Sequence, residues 1–158
     1  MVRSLSIWLH GTSLSWAARG GLPWLWPLCE TLHFIGMAML IGIVGLLDLR
    51  MLGLVKGLPL RPLQRLVPWG VAGFVINLLT GITFYSGDPL QYIDNNVFWL
   101  KMSLMMLLLM NGALLLHSER QVTRGEADAR PRLHHTAIAS LVLWSLTTLA
   151  GAALPNIG

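Results

Sequence analysis

The chain has 158 residues, enough for one domain, of which 54% are hydrophobic and 11% are charged. Soluble domains carry about 25% charged residues, so this composition excludes an ordinary soluble protein and indicates an integral membrane protein. The net charge of +4 does not predict nucleic-acid binding, because the basic residues lie between hydrophobic segments. The single cysteine, Cys29, excludes an intrachain disulfide and a cysteine-only metal site.

The hydrophobic pattern predicts an all-α fold, an integral membrane four-helix bundle that forms a single domain. Residues 4–19 mix serines with leucines and tryptophans, which indicates a short amphipathic helix at the membrane surface. Four longer apolar segments follow, and each has the roughly 20 residues that a bilayer span needs. We expect these spans at about 25–47, 66–85, 97–117 and 133–153. In the first loop, Pro59 and Pro62 are expected to stop any helix.

The loops between the spans differ sharply in charge. Residues 48–65 and 118–132 carry four Lys or Arg each, and residues 86–96 carry none. The positive-inside rule places both basic loops in the cytoplasm and both termini on the outer side. We therefore expect a multi-pass protein of the bacterial inner membrane with both termini in the periplasm.

His33 is the strongest candidate for chemistry. It is the one ionisable residue between Leu32 and Leu47, and a histidine inside a span is costly unless it has a partner. At about 1.5 Å rise per residue it lies roughly 6 Å from the midplane, at the depth of Thr80, with Asn77 nearer the centre. Imidazole is the usual axial ligand of haem, which a helical bundle can hold in its core. A purely structural hydrogen bond is the alternative.

Two charged residues lie on the same outer half. Glu30 is three residues before His33 and shares its helical face. Glu30 and Lys101 both fall roughly 10 Å from the midplane, so they are expected to meet beside His33 as an ion pair or through water. Alternatively, Lys101 extends outward to the membrane surface.

The inner side carries a second group of candidate ligands. His117, His134 and His135 lie roughly 12–14 Å from the midplane on two antiparallel spans. Two histidines at one depth can bind a haem iron from both faces. The alternative is that these residues only flank a basic loop.

Copper is the alternative cofactor. Thioether and imidazole ligands suit Cu(I), and the candidates are His33 with Met37, Met102, Met105, Met106 and Met110. Methionines at helical spacing also serve as packing residues. A di-iron site would need several more carboxylates than the spans contain. No nucleophile–base pair, phosphate-binding glycine loop or zinc motif occurs, so the sequence assigns no enzyme activity.

Several short motifs in this chain resemble those of an uncharacterised family of small bacterial four-helix membrane proteins. The matching residues are Pro27, Glu30 and His33; Asp48, Leu49, Arg50, Leu52 and Gly53; Gly73, Phe74, Thr80 and Gly81; and Phe98, Lys101 and Met102. A first-helix histidine and a third-helix lysine are also distantly similar to the copper-resistance CopD domain and the HemJ-type protoporphyrinogen oxidases. The resemblance to HemJ-type proteins, which are haem-binding four-helix membrane proteins, implies a bound haem.

The sequence therefore predicts a b-type haem protein that transfers electrons as a membrane redox subunit linked to quinone. His33 is the expected outer ligand, with Glu30, Lys101, Asn77 and Thr80 in support, and His117 with His134 or His135 the expected inner ligands. The expected partners are the lipid bilayer, a quinone, and other membrane or periplasmic subunits or further copies of the chain. A Cu(I) handling protein and a cofactor-free subunit of a larger complex are the alternatives.

Overall fold

The computed structural model describes residues 2–125 and 129–154, and most of these residues are helical, with no β-strand among them. Residue 1, the middle of the third loop at 126–128 and the last four residues, 155–158, lie outside the described residues. The helices are α1 (Val2–His10), α2 (Ser13–Trp16), α3 (Leu25–Met51), α4 (Leu60–Gln64), α5 (Val67–Gly87), α6 (Pro89–Asp94), α7 (Asn96–Thr123) and α8 (Ala129–Ala153), with one π-helical turn (Ala17–Gly21) between α2 and α3.

Four of the helical segments are long and apolar enough to cross a membrane, as the sequence predicts. They are Leu25–Met51, Pro62–Gly87, Asn96–Val122 and Arg130–Ala153, and they contain 27, 26, 27 and 24 residues. Their surfaces remain strongly apolar, because many large side chains, including those of Phe34, Leu79 and Met110, are exposed.

The first long helix extends beyond the span expected at about 25–47. It continues to Met51 and so includes Asp48 and Arg50. Gly53 ends it with φ at +75°, a conformation that side chains disfavour. The amides of Gly53 and Leu54 bond back to the carbonyls of Arg50 (3.1 Å) and Leu49 (3.0 Å), which forms a Schellman cap.

Two loops contain short helices that the sequence reading missed. In the first loop α4 includes Pro62, because a proline in the first turn removes an amide that has no helical partner anyway. In the second loop α6 begins at Pro89, and the Asp88 side chain caps it by accepting a hydrogen bond from the Gln91 amide at 3.3 Å.

The N-terminal segment is also broken where one helix was expected over residues 4–19. The break falls at Gly11 and Thr12, and the Thr12 hydroxyl caps α2 by accepting from the Ser15 amide at 3.3 Å. A second change of direction follows at Gly20, whose φ of +110° lies in the left-handed region.

The described chain divides into two compact units. Residues 2–42 and 68–96 form the first, and residues 43–67, 97–125 and 129–154 form the second. The first holds the N-terminal helices, most of α3, α5 and α6. The second holds the end of α3 with α4, α7 and α8. Whether the whole chain is a single domain stays a prediction.

Candidate functional site

Two glycines bring α3 and α5 into backbone contact in the first unit. A methyl group on Gly73 would lie 2.6 Å from the Gly36 carbonyl oxygen, and one on Gly36 would lie 2.8 Å from the Gly73 carbonyl oxygen. Only residues without a side chain permit such an approach, which is typical of helix pairs in membranes. The glycine crossing (Gly36 and Gly73) therefore sets the distance between the two helices on which His33 and Thr80 lie.

His33 reaches across from α3 to a hydroxyl on α5. Its Nδ1 lies 2.7 Å from the Thr80 Oγ1, and that oxygen lies 2.8 Å from the carbonyl of Ile76 one turn earlier. A hydroxyl has one hydrogen, and a helical threonine commonly donates it to this carbonyl. We therefore assign the proton between His33 and Thr80 to the ring, so that Nδ1 donates and Oγ1 accepts. In this tautomer the lone pair of the ring lies on Nε2.

Asn77 supports the same arrangement from the next turn of α5. Its Nδ2 group donates to the carbonyl of His33 at 3.2 Å and to the carbonyl of Gly73 at 3.3 Å. The backbone and the ring of His33 are thus both attached to α5. The structure brings together His33, Thr80 and Asn77, the three residues that the sequence places at nearby depths.

An aromatic contact that the sequence reading missed completes the surroundings of His33. The Phe84 ring lies 5.4 Å from the imidazole and 5.0 Å from the Trp26 ring, measured between centroids. Phe84 follows Thr80 by four residues and so lies on the same face of α5. The four-residue spacing between Thr80 and Phe84 is therefore the sequence signal that could have identified Phe84 as a neighbour of His33.

The N-terminal helices pack against the far end of α5. The Ser6 hydroxyl lies 2.8 Å from the Tyr85 hydroxyl, and Ser6 is fully buried. Burial, with a smaller effect of the nearby Asp88 carboxylate, raises the pKa of Tyr92 in α6, so its phenol stays protonated at neutral pH. The N-terminal segment is therefore an integral part of the first unit.

The predicted inner haem ligands are exposed, whereas His33 is held by residues of α5. His117 on α7 and the adjacent His134 and His135 on α8 are all exposed in the second unit. The rings of His134 and His135 meet edge to face at 6.5 Å. Neighbouring positions on a helix differ by about 100° in direction, so these two residues cannot serve one metal ion from the same helix face.

The two charged residues that were expected beside His33 belong to different compact units. Glu30 is exposed in the first unit, and Lys101 is half-buried in the second. Lys101 lies beside Gly151, where an added methyl group would be 3.3 Å from Nζ. Their pairing stays a prediction.

Among the residues that the structure describes, no group of three or more His, Cys, Asp or Glu is placed to hold a metal ion. A haem differs from such a site in needing only one or two protein ligands. Comparison of the chain with family models, curated proteins and solved structures finds no match to any of them.

Proposed function

We propose that this protein binds b-type haem in the bacterial inner membrane and transfers electrons, with His33 as an axial ligand. The observation that carries the proposal is the 2.7 Å contact between His33 Nδ1 and Thr80 Oγ1. Histidines that bind a metal almost always donate their second ring N–H to a neighbouring group, which fixes the ring and its tautomer. Thr80 plays that part for His33.

The surroundings of His33 fit a haem ligand better than a packing histidine. A packing role needs only one hydrogen bond, whereas here the ring, the backbone carbonyl and the aromatic face are all held. Such restraint fixes the ring in one orientation at little entropic cost when the metal binds. Among the residues that the structure describes, none gives the inner histidines comparable support. We therefore propose His33 as the principal ligand and keep His117, His134 and His135 as candidates for a second site.

Haem bound at His33 would supply reversible one-electron chemistry. The chain's own part is to hold the imidazole through Thr80, to fix the helix pair through Asn77, and to surround the site with apolar helices. We propose a quinone and a further membrane or periplasmic subunit as the redox partners, or a second copy of the chain.

The membrane location is part of the same proposal. Exposed apolar side chains on all four long helices would form far larger apolar patches than soluble proteins tolerate. A lipid bilayer covers such surfaces and requires backbone groups to be paired within helices. We propose a four-helix bundle in the membrane, with the N-terminal tryptophans Trp8 and Trp16, both exposed, at the interface.

An absorption spectrum of the protein purified from membranes tests the function directly. A Soret band supports haem. Copper found by elemental analysis, without a Soret band, would support the Cu(I) alternative through His33 and the methionines. Finding neither cofactor would favour a cofactor-free subunit of a larger complex.

Thr80→Val should weaken haem binding by about 10–100-fold, the usual effect of removing the partner of a metal-bound histidine. Valine keeps the shape of threonine and removes only the hydroxyl. The reduction potential should also rise, because an imidazole that no longer donates from Nδ1 is a poorer electron donor to iron. Haem titration and redox potentiometry measure the two effects.

Thr83→Val is the matched control for this change. Thr83 lies on the same helix, and its hydroxyl donates to the Leu79 carbonyl at 3.1 Å. Equal losses of haem affinity in both variants would show that Thr80 acts through helix structure and not through His33.

Alkaline phosphatase fused after Gly158 should be active, and a fusion at Arg124 should be inactive. The arginines of the third loop are expected to hold that loop in the cytoplasm, where the enzyme stays reduced. A green fluorescent protein fusion at each position supplies the complementary signal. Activity at Arg124 would overturn the proposed topology.

A further inference from the structure

The carboxyl group of Asp48 is buried within the second unit. The residue has no exposed surface, and among the described residues neither of its carboxylate oxygens finds a hydrogen-bond donor or acceptor. It lies near the end of α3, within the second unit. The Ser140 hydroxyl on α8 lies beside the carboxyl, outside regular hydrogen-bond geometry. Ser140 is itself buried.

The basic residue nearest in sequence does not neutralise Asp48. Arg50 follows by two residues and so projects from a different face of the helix. Its Nε group donates to the carbonyl of Leu58 at 2.6 Å. The Asp-Leu-Arg sequence therefore uses its arginine to hold the first loop, and its aspartate is left inside the unit.

Three titratable groups on the neighbouring long helices are also directed elsewhere. On α7, the Glu119 carboxylate accepts a hydrogen bond from the Gln64 amide. On α8, His134 and His135 are exposed. None of these groups hydrogen-bonds to Asp48. No described basic side chain therefore hydrogen-bonds to the carboxyl group at this position.

We propose that Asp48 and Ser140 form a proton-binding site inside the membrane-spanning part of the protein. An ionised carboxylate that is buried without donors is strongly unfavourable. Uptake of one proton from water converts it to a neutral carboxylic acid, and no other bond forms or breaks. The new O–H group then has an acceptor in the Ser140 hydroxyl, which a small rotation of either side chain brings into range.

A metal ion fits this position less well than a proton does. Hard cations such as Ca²⁺ take 6–8 oxygen ligands, at least twice the three oxygens that one carboxylate and one hydroxyl provide. Among the described residues, Asp48 belongs to no group of three or more His, Cys, Asp or Glu that could hold a metal ion. The site lies within one helical turn of the end of α3, so the proton exchanges on the side of the first loop. This proposal does not depend on haem binding.

Infrared spectroscopy of the protein in nanodiscs at pH 7 tests the site, because a protonated carboxyl absorbs above the amide bands and a carboxylate does not. We expect a carboxylic acid band in the unchanged protein that disappears in Asp48→Asn. Asp94→Asn, which alters an exposed aspartate in α6, should keep the band. Ser140→Ala should shift the band to higher frequency, whereas Ser145→Ala, on the exposed side of α8, should not.

A second variant keeps the test valid if Asp48→Asn fails to fold. The chain has four aspartates, and the triple change Asp88→Asn, Asp94→Asn, Asp128→Asn leaves Asp48 as the one aspartate. With carboxyl-labelled ¹³C-aspartate, the isotope-shifted carboxylic acid band then belongs to Asp48. Absence of that band would overturn the proposal. A carboxylate band of Asp48 that changes with sodium concentration would also overturn it, because the site would then bind a cation and not a proton.

Discussion

His33→Ala is expected to abolish the Soret band of the purified protein while leaving its membrane insertion unchanged. The variant removes the imidazole that Thr80 orients across the α3–α5 contact at 2.7 Å, so the iron loses its ligand. Insertion depends on summed hydrophobicity, which rises when a polar side chain is removed from a span. Haem content per protein, from the pyridine haemochrome spectrum and a protein assay, measures the effect.

His117→Ala is the matched variant on the inner side, because His117 is exposed on α7. We expect it to retain the haem that His33 holds. Loss of the band in His117→Ala alone would move the site to the inner histidines. Partial loss in both variants would indicate two haems, one held at each side.

Gly73→Ala is expected to destabilise the protein by about 1–3 kcal/mol, which is the usual cost of overpacking. The added methyl group would lie 2.6 Å from the Gly36 carbonyl oxygen and 3.1 Å from Met39 Cβ. The first of these contacts is with backbone, which cannot rotate away, so α3 and α5 must separate. Separation also lengthens the His33–Thr80 contact, and haem affinity should fall with stability. Thermal melts in detergent and haem titration measure both.

Gly81→Ala is a control on the same helix for which we expect the opposite change in stability. A methyl group there would meet nothing within 4 Å, and replacing a mid-helix glycine by alanine stabilises a helix by about 0.5–1 kcal/mol. We expect a melting temperature equal to or above that of the unchanged protein. If both glycine variants destabilised equally, the glycine crossing would not be what holds α3 against α5.

Part of the candidate site was accessible from the sequence through helical spacing and depth. His33 stands out because an ionisable residue in an apolar span is costly, and antiparallel alignment places Thr80 and Asn77 near it. Phe84 was missed, although its four-residue spacing from Thr80 puts it on the same face. Depth alone could not show which nitrogen of His33 meets the hydroxyl, since that depends on the rotation of both helices.

The sequence by itself determined the number and kind of the long elements. In a lipid bilayer an apolar segment of about twenty residues can pair its own backbone groups only as a helix, and the structure has four helices that are long and apolar enough to cross a membrane. Residues with special backbone preferences then decided the ends: Gly53, and not the first charge at Asp48, terminates α3.

Only the tertiary structure decided which polar residues are buried together. The sequence pattern placed Asp48 at the start of a loop, where a carboxylate would be hydrated, and the structure buries it beside Ser140. Residues 92 positions apart in sequence come together because helix packing, and not local spacing, sets their distance. Local rules therefore predict which residues a helix carries, whereas burial and partners depend on the rotation and contact of whole helices, which the glycine crossing illustrates at Gly36 and Gly73.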